Sequence, residues 1–413
     1  MRTVVIITLL LLVACPGMTQ AAPTAFIDCN TRGCDGDFFQ TEVAFVQHVR
    51  DRADADLYVL VTSESTGGGG SFYTLFFESQ RALAGRHDTL TTRVAESASH
   101  DERRGLLARR IALGFAHLAA ETPLADRLRI TADAPATTQE NGEDEPSADP
   151  WNNWVFRIRG NGLFNGQAST RSADMFGNVT AERVTDALKL SFRVFSNYRR
   201  SDFEIDDTTT VTSTSSGYGA STLTVWSLSD HWSVGGQSFA ESSSFENLDF
   251  RVRAGPAVEY SVFPYSESTR RGLRLLYFAG VEVADYAEVT IFGKTGEVQA
   301  RHSLITAVEF EQPSGSVDVS LDLSQYLSLP EKHRAQIRGG LNLRLFRGLS
   351  LNLNGSYARV RDQLALPATG ATPEEILTQQ RVLATSYSYF ASVGLMYSFG
   401  SIFNPVVNPR FDN

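Results

Sequence analysis

The most constraining feature of the sequence is a strict two-residue alternation between Ile337 and Phe399. In three successive segments, apolar residues and glycine occupy every second position, and Arg, Asn, Ser and Gly occupy most positions between them. Neighbouring side chains of a strand point to opposite faces, so each set lies on one face. Tyr and Phe at the ends of the apolar runs are typical of a band that faces lipid. The pattern predicts the closing strands of a membrane-spanning β-barrel.

Similar alternation extends back through the chain and weakens between residues 201 and 229. Short connections alternate with a set that includes the longest ones, at 201–217, 287–297 and 362–385. Outer-membrane barrels combine an even strand number with short periplasmic turns and longer external loops. The predicted fold is therefore mainly β: a transmembrane antiparallel β-barrel of about 12 strands, preceded by a small α/β domain. The predicted strands lie near 154–166, 171–184, 188–200, 218–229, 232–244, 249–263, 272–286, 298–312, 315–327, 334–346, 349–361 and 386–399.

Four further segments complete the predicted domain organisation. Residues 25–133 alternate apolar strands with amphipathic helical stretches, which predicts a periplasmic α/β domain closed by a short strand around 128–130. Residues 134–150 are acidic and Pro-rich with almost no apolar content, as in an extended linker. The barrel is predicted over 151–400 and a periplasmic tail over 401–413.

Residues 1–22 have the pattern of a secretory signal peptide, with Arg2 before an apolar core and small residues at Ala21 and Ala22. Cys15 follows Leu12-Val13-Ala14, which is similar to a bacterial lipoprotein box. Two alternatives stay open: Cys15 is lipidated and becomes the first residue, or cleavage near Ala21 or Ala22 removes it. Both predict a bacterial outer-membrane protein with its N-terminal domain in the periplasm.

Cys29 and Cys34 are close in sequence within an exported chain, which favours a local disulfide. A metal pair would need further Cys or His nearby, and none is adjacent, so no metal site and no cofactor are predicted. The formal net charge of -10 gives no basic field for nucleic acid, which we therefore exclude as a partner.

Charged residues of the predicted strands share the face opposite the apolar one. An Arg facing lipid at the membrane midplane costs about 2–4 kcal/mol, so these charges must line the lumen. They either form a wall that selects solutes by charge or pair across neighbouring strands and fill the interior. The predicted lumen charges are Arg157, Arg159, Lys189, Arg193, Arg251, Arg253, Glu259, Arg274, Glu282, Arg301, Glu309, Asp318, Asp322, Arg338 and Arg344.

The barrel segment offers no catalytic grouping from spacing alone. Its histidines are His231, His302 and His333. Ser303 follows His302 within a predicted strand, so the two side chains point to opposite faces and cannot pair. No Ser-His-acid arrangement can be assembled. The sequence therefore favours a protein that is not an enzyme.

The last predicted strand carries Leu395, Tyr397 and Phe399 on one face. An alternating apolar series closed by an aromatic residue is similar to the terminal signal that the barrel-insertion machinery recognises. The expected partners are thus outer-membrane lipid, this machinery and a periplasmic protein that binds the N-terminal domain.

Several stretches carry a resemblance that covers nearly all of the exported chain. They are Phe26-Ile27-Asp28-Cys29, 62–66 with the glycines after it, 264–271, 345–350 and Ser398-Phe399-Gly400. The chain resembles a group of bacterial outer-membrane β-barrel proteins with a small periplasmic domain ahead of the barrel. The resemblance implies the fold and location but brings no assigned activity. We expect a narrow pore or transport-type protein; a non-conducting barrel that anchors a partner-binding domain and an outer-membrane hydrolase are the alternatives.

Overall fold

The structure is a computed structural model that describes residues 22–120, 122–129, 149–206, 208–312, 314–370, 375 and 381–401. The signal segment with Cys15, most of the 134–150 linker and nearly all of the C-terminal tail lie outside the described residues.

The N-terminal domain is a five-stranded mixed sheet with two helices. Its strands follow the order β2-β1-β3-β4-β5, with β1 parallel to β2 and β3 and the other pairs antiparallel. The buried core consists of apolar side chains from β3, β4 and the two helices, among them Val59, Phe77 and Phe115. Helix α2 begins with a capping box between Ser99 and Glu102, which satisfies two otherwise free backbone N–H groups. The elements are β1 (Thr24–Cys29), α1 (Gly36–Glu42), β2 (Gln47–His48), β3 (Leu57–Ser65), β4 (Ser71–Ser79), β5 (His87–Val94) and α2 (His100–Leu118).

Two details of this domain differ from the sequence expectation. The strand that completes the sheet is β5, whereas Leu128 and Arg129 form no strand. β5 has weak apolar alternation because it is an edge strand with most of its side chains exposed or half-exposed. Leu128 packs against the domain core without pairing, and its backbone N–H closes a turn.

The second unit is a sheet of twelve antiparallel strands in which every strand pairs with the next one along the chain. We name the two ends of this sheet by their connections. The turn end carries the segments 185–187, 228–231, 262–270, 313–314 and 347–348, and the loop end carries the others. The strands are β6 (Trp154–Gly166), β7 (Thr170–Val184), β8 (Leu188–Asp206), β9 (Thr209–Ser227), β10 (Trp232–Ser243), β11 (Leu248–Ser261), β12 (Arg271–Tyr286), β13 (Gly296–Gln312), β14 (Gly315–Tyr326), β15 (His333–Phe346), β16 (Leu349–Val360) and β17 (Tyr387–Tyr397).

The sheet curves into a barrel-like wall. Twelve flat strands at about 4.8 Å spacing would span more than about 50 Å, whereas a 100-residue domain has a radius of gyration of only about 13 Å. Yet the one small domain contacts β6 through Arg157 and β15 through Arg344, and Arg50 reaches Ser398 just beyond β17. Only a curved sheet brings these strand ends to one domain.

The two faces of the wall differ in chemistry. Ile158, Val393 and Leu395 on the outer face are more than two-thirds exposed. The inner face carries charged and hydroxyl side chains. Among the described residues, no backbone ladder joins β6 to β17, and most side chains of both edge strands are exposed on both faces.

The predicted loop at 201–217 is wrong, because β8 and β9 continue through it as one long hairpin whose tip lies at 207–208. The backbone pairs without a break in pattern from Ser201↔Ser213 to Glu204↔Thr210. Thr and Ser are compatible with strands, but the more buried face of this hairpin carries Ser213 and Gly217 instead of apolar side chains, so the apolar alternation fades while the pairing continues.

Candidate functional site

The structure places the predicted lumen charges on one face of the large sheet. In the β12–β13 register, Arg274, Glu282 and Arg301 all lie on the side opposite Tyr277 and Val281. The registers of the other pairs carry this face through the whole wall, from Arg157 on β6 to Arg344 on β15. The inward face therefore brings together all fifteen residues named in the sequence analysis.

Most inward arginines towards the loop end are held by carboxylates of neighbouring strands. Glu282, only 5% exposed, accepts from Arg253 at 2.9 Å, lies 3.5 Å from Arg301 and accepts from the Tyr326 hydroxyl at 2.8 Å. Arg251 pairs with Glu241 and, at 2.9 Å, with Glu246. These contacts stiffen the wall, as pairing across strands predicts.

Three inward cations differ from this pattern. Lys189, Arg193 and Arg338 have no carboxylate within ion-pair distance in the described part of the chain; Arg338 instead donates to Gln336 at 3.2 Å. Arg193 lies 5.9 Å from the ring centre of Phe195. Pairing across strands is therefore seen for some of the inward charges, and selection of solutes by the remaining cations stays a prediction.

Two cavities along the inner face have opposite charge. A cavity of about 600 Å³ beside β6–β11 is lined by Arg157, Arg159, Arg193 and Arg253 with Glu182 as its carboxylate. A second cavity, of about 400 Å³, lies where the N-terminal domain meets β13–β15. Its ionisable lining residues are Asp28, Glu64, Arg270, Glu309, Glu311 and Asp318. The inner face therefore has a basic side and an acidic side.

The N-terminal domain sits on the turn end of the sheet, and acids of the domain meet bases of the sheet. Asp28 binds both terminal nitrogens of Arg344, at 2.6 and 2.7 Å, and also accepts from the Tyr58 hydroxyl at 2.9 Å. Burial, followed by the nearby Asp28 charge, raises the pKa of Tyr58, which keeps it protonated as a donor. A two-pronged guanidinium–carboxylate pair is both strong and geometrically specific.

Two further contacts extend this interface. Asp54 pairs with Arg347 at 2.6 Å, and Asp51 accepts from the Gly348 backbone N–H at 2.7 Å. On the opposite side of the domain, Glu96 binds Arg157 at 2.8 Å and Arg159 at 2.9 Å. The hydrogen bond from Arg157 lowers the pKa of Glu96 below its usual value.

The loop end is partly covered by residues 361–368, which we call the strap. Leu364 and Leu366 are 6% and 8% exposed, and they line a cavity of about 310 Å³ together with Arg251, Glu282 and Arg301. Asn247 donates to the Ala365 carbonyl at 2.8 Å. The strap therefore folds inward over the loop end of the sheet.

Glu288, in the connection before β13, holds the far side of the same loop. It accepts from Thr369 at 2.8 Å and pairs with Arg381 at 2.9 Å. These two hydrogen bonds lower the pKa of Glu288, the Thr369 contact most.

The remaining predicted residues fall at separate places. Cys29 and Cys34 form a disulfide, directly after Asp28. His302 lies on the outer face between Tyr277 (3.2 Å) and Gln325 (3.3 Å), on the side opposite Ser303. Tyr397 and Phe399 stack on the outer face with ring centres 5.5 Å apart, and their role in membrane insertion stays a prediction.

Sequence reasoning missed Asp28, Asp51, Asp54 and Glu96 as functional residues. Nothing local marks them, because acids on a domain surface are commonplace. They are distinguished by their contacts with the turn end of the sheet, which are made to Arg157, Arg159, Arg344, Arg347 and the Gly348 backbone.

Comparison with known proteins adds little. No protein-family model matches the chain, and no curated protein matches it. Among solved structures it is similar to the translocator domain of the autotransporter NalP from Neisseria meningitidis. The identity is 12%, the match covers 60% of this chain and 81% of that one, and the TM-score is 0.16. A likeness this weak carries no argument about activity. None of the described helices is long and apolar enough to cross a membrane.

Proposed function

We propose that the protein is an outer-membrane β-barrel protein that forms a narrow, charge-lined passage, and that its own periplasmic domain occupies the mouth of this passage. The observation that carries the proposal is the segregation of the wall into an apolar outer face and a charged inner face. A soluble protein would leave this outer face exposed to water at a large cost.

Aromatic side chains at both ends of the outer face support the membrane location. Trp154, Trp232 and Tyr397 lie near the turn end, and Tyr357 and Tyr389 lie near the loop end. From Tyr387 to Tyr397 the strand extends roughly 33 Å at about 3.3 Å per residue. At the strand tilt of about 40° in outer-membrane barrels this stretch covers roughly 25 Å along the membrane normal, which matches the height of their apolar band.

The seated domain favours a passage that is closed at rest. Its contacts with Arg157, Arg344 and Arg347 extend around the turn end, and the strap narrows the loop end. The periplasmic domain then serves first as a plug, and binding to a periplasmic partner would act by displacing it. We propose no catalytic role and no cofactor.

The paired arginines favour a second candidate function. A wall whose charges neutralise each other, as around Glu282, is suited to a non-conducting barrel that anchors the domain. Lys189, Arg193 and Arg338, which have no carboxylate partner among the described residues, favour the passage, since cations that are not neutralised focus anions.

Planar-bilayer recording of the full-length protein distinguishes these functions. We expect the wild type to be mostly closed, and the double variant Asp28→Asn/Asp54→Asn to open several-fold more often, because the domain loses two ion pairs. Glu42→Gln is the matched control, since Glu42 is an exposed acid of the same domain without a sheet contact. If none of the three folded proteins conducts in the bilayer, the passage is rejected in favour of the non-conducting barrel that anchors the domain.

A further inference from the structure

The larger basic cavity has the composition of an anion-binding site. Four guanidinium groups line it against the single carboxylate of Glu182, which is already bound to Arg157 at 2.5 Å. Its volume of about 600 Å³ lies within the range of small-molecule sites. The cavity therefore has an excess of positive charge and room for a ligand of several non-hydrogen atoms.

Arg193 is the unsatisfied cation of this cavity. No carboxylate of the described chain pairs with it, whereas Arg199, further along the same face of β8, is bound by Asp174. Arg253 turns two of its nitrogens towards Glu282, which lies outside the cavity lining. A guanidinium binds carboxylate or phosphate oxygens through paired hydrogen bonds, so Arg193 is suited to such a group.

Neutral donors surround Arg193 and complete the site. The amides of Asn178 and Gln237 line the cavity beside it. Thr180 also lines the cavity, but its hydroxyl oxygen is buried in the wall and has no hydrogen-bond partner among the residues described. The neutral donors offered to a ligand oxygen are therefore the amides of Asn178 and Gln237.

At the rim of the cavity, Glu96 of the N-terminal domain occupies two of the four arginines. Its two carboxylate oxygens bind Arg157 and Arg159 separately, at 2.8 and 2.9 Å. The domain thus places a tethered carboxylate where a free anion would bind. An anion that binds these arginines in place of Glu96 weakens the binding of the domain to the sheet. By thermodynamic reciprocity, displacement of the domain strengthens anion binding to the same extent.

We propose that this cavity binds a small polyvalent anion through carboxylate or phosphate oxygens, centred on Arg193, in competition with Glu96 for Arg157 and Arg159. The proposal rests on the proposed function only in taking the inner face as water-filled. It adds a ligand class and a means by which that ligand would unseat the domain.

Calorimetric titration of the folded full-length protein in detergent micelles tests the site at constant ionic strength. Citrate probes the carboxylate chemistry and pyrophosphate the phosphate chemistry. We expect saturable binding of at least one, weakened about tenfold or more in Arg193→Gln, because a hydrogen-bonded charge is lost. Arg199→Gln is the matched control and keeps the wild-type affinity. Glu96→Gln binds several-fold more tightly, because it frees Arg159 and leaves Arg157 with Glu182 as its one remaining carboxylate partner among the described residues.

Two results would overturn the proposal. Absence of saturable binding, or equal loss in Arg193→Gln and Arg199→Gln, would mean that only diffuse charge acts. Unchanged affinity in Glu96→Gln would remove the competition with the domain. The titration does not depend on conductance. If the bilayer recording shows no conductance while anion binding is as expected, the proposed passage is rejected and the anion site is retained.

Discussion

Gly67 determines how closely the N-terminal domain lies against the large sheet. It belongs to the turn between β3 and β4, which pair as an antiparallel hairpin. A Cβ at Gly67 would overlap the branched side chain of Val184 at the end of β7, whereas a Cβ at Gly68 would meet nothing closer than 3.9 Å. The same turn brings the Gly67 carbonyl within 3.3 Å of Arg157.

Gly67→Val should therefore unseat the domain without unfolding it, and Gly68→Val should not. The measurement is hydrogen exchange over residues 342–349, because the Gly348 amide is protected by Asp51 of the seated domain. We expect the amide hydrogen of Gly348 to exchange at least about tenfold faster in Gly67→Val. In this variant the domain is displaced, and Asp51 no longer protects the amide. Equal protection in both variants would show that the close approach at Gly67 is dispensable.

Residue identity alone could not predict the Asp28–Arg344 pair. The two residues are 316 positions apart, and each has an ordinary alternative: a solvated acid on a domain surface and a base facing a lumen.

The Asp28–Arg344 pair determines the effect that we expect from Arg344→Ala. Because Arg344 holds Asp28 of the domain, its loss should raise conductance, whereas Arg338→Ala, without such a partner, should reduce anion preference.

At the scale of elements, prediction succeeded where a strand has one apolar face. The boundaries of β6 agree with the predicted 154–166, and those of β16 differ by one residue at its end, because lipid-facing and inward positions alternate there. It failed at the β8–β9 tip and at β5, where the more buried face carries several polar residues or glycine, such as Ser213, Gly217 and Thr92. A two-residue alternation of apolar and polar residues shows that the two faces of a strand have different environments. It does not show where the backbone pairs with a neighbouring strand.

The strap and its connection to Glu288 should respond to acid. Thr369 and Arg381 lower the pKa of Glu288 below its usual 4.5, so their stabilisation is complete above that value and lost as pH falls through the lowered one. We expect the labelling of the buried Leu366→Cys, relative to the exposed Ala384→Cys, to accelerate as the pH is lowered in steps from about 7 to about 3, because Glu288 becomes protonated only below its lowered pKa. In a Glu288→Gln background the ratio should be high and independent of pH. A pH-independent ratio in both backgrounds would remove Glu288 as the anchor.

At the scale of the whole molecule, the direction of the sheet in the membrane is the central expectation. The turn end carries the domain and the loop end carries the strap. In intact cells, a membrane-impermeant reagent should label Ala384→Cys at the loop end and spare Ala187→Cys in the turn between β7 and β8. Labelling of Ala187→Cys with protection of Ala384→Cys would invert the topology, and permeabilised cells provide the control for reactivity.

The contacts that seat the domain join opposite ends of the polypeptide, and this has a consequence for the order of assembly. The domain is synthesised first and has its own core, but Arg344 and Arg347 belong to the last quarter of the chain, and Ser398 follows the final strand. The surface of the domain that binds Arg344, Arg347 and Ser398 therefore stays in contact with water until β15 and β17 have formed. The domain therefore docks only after the barrel is complete. In a chain truncated before β15, the domain would lack Arg344 and Arg347 and would not close the turn end of the passage.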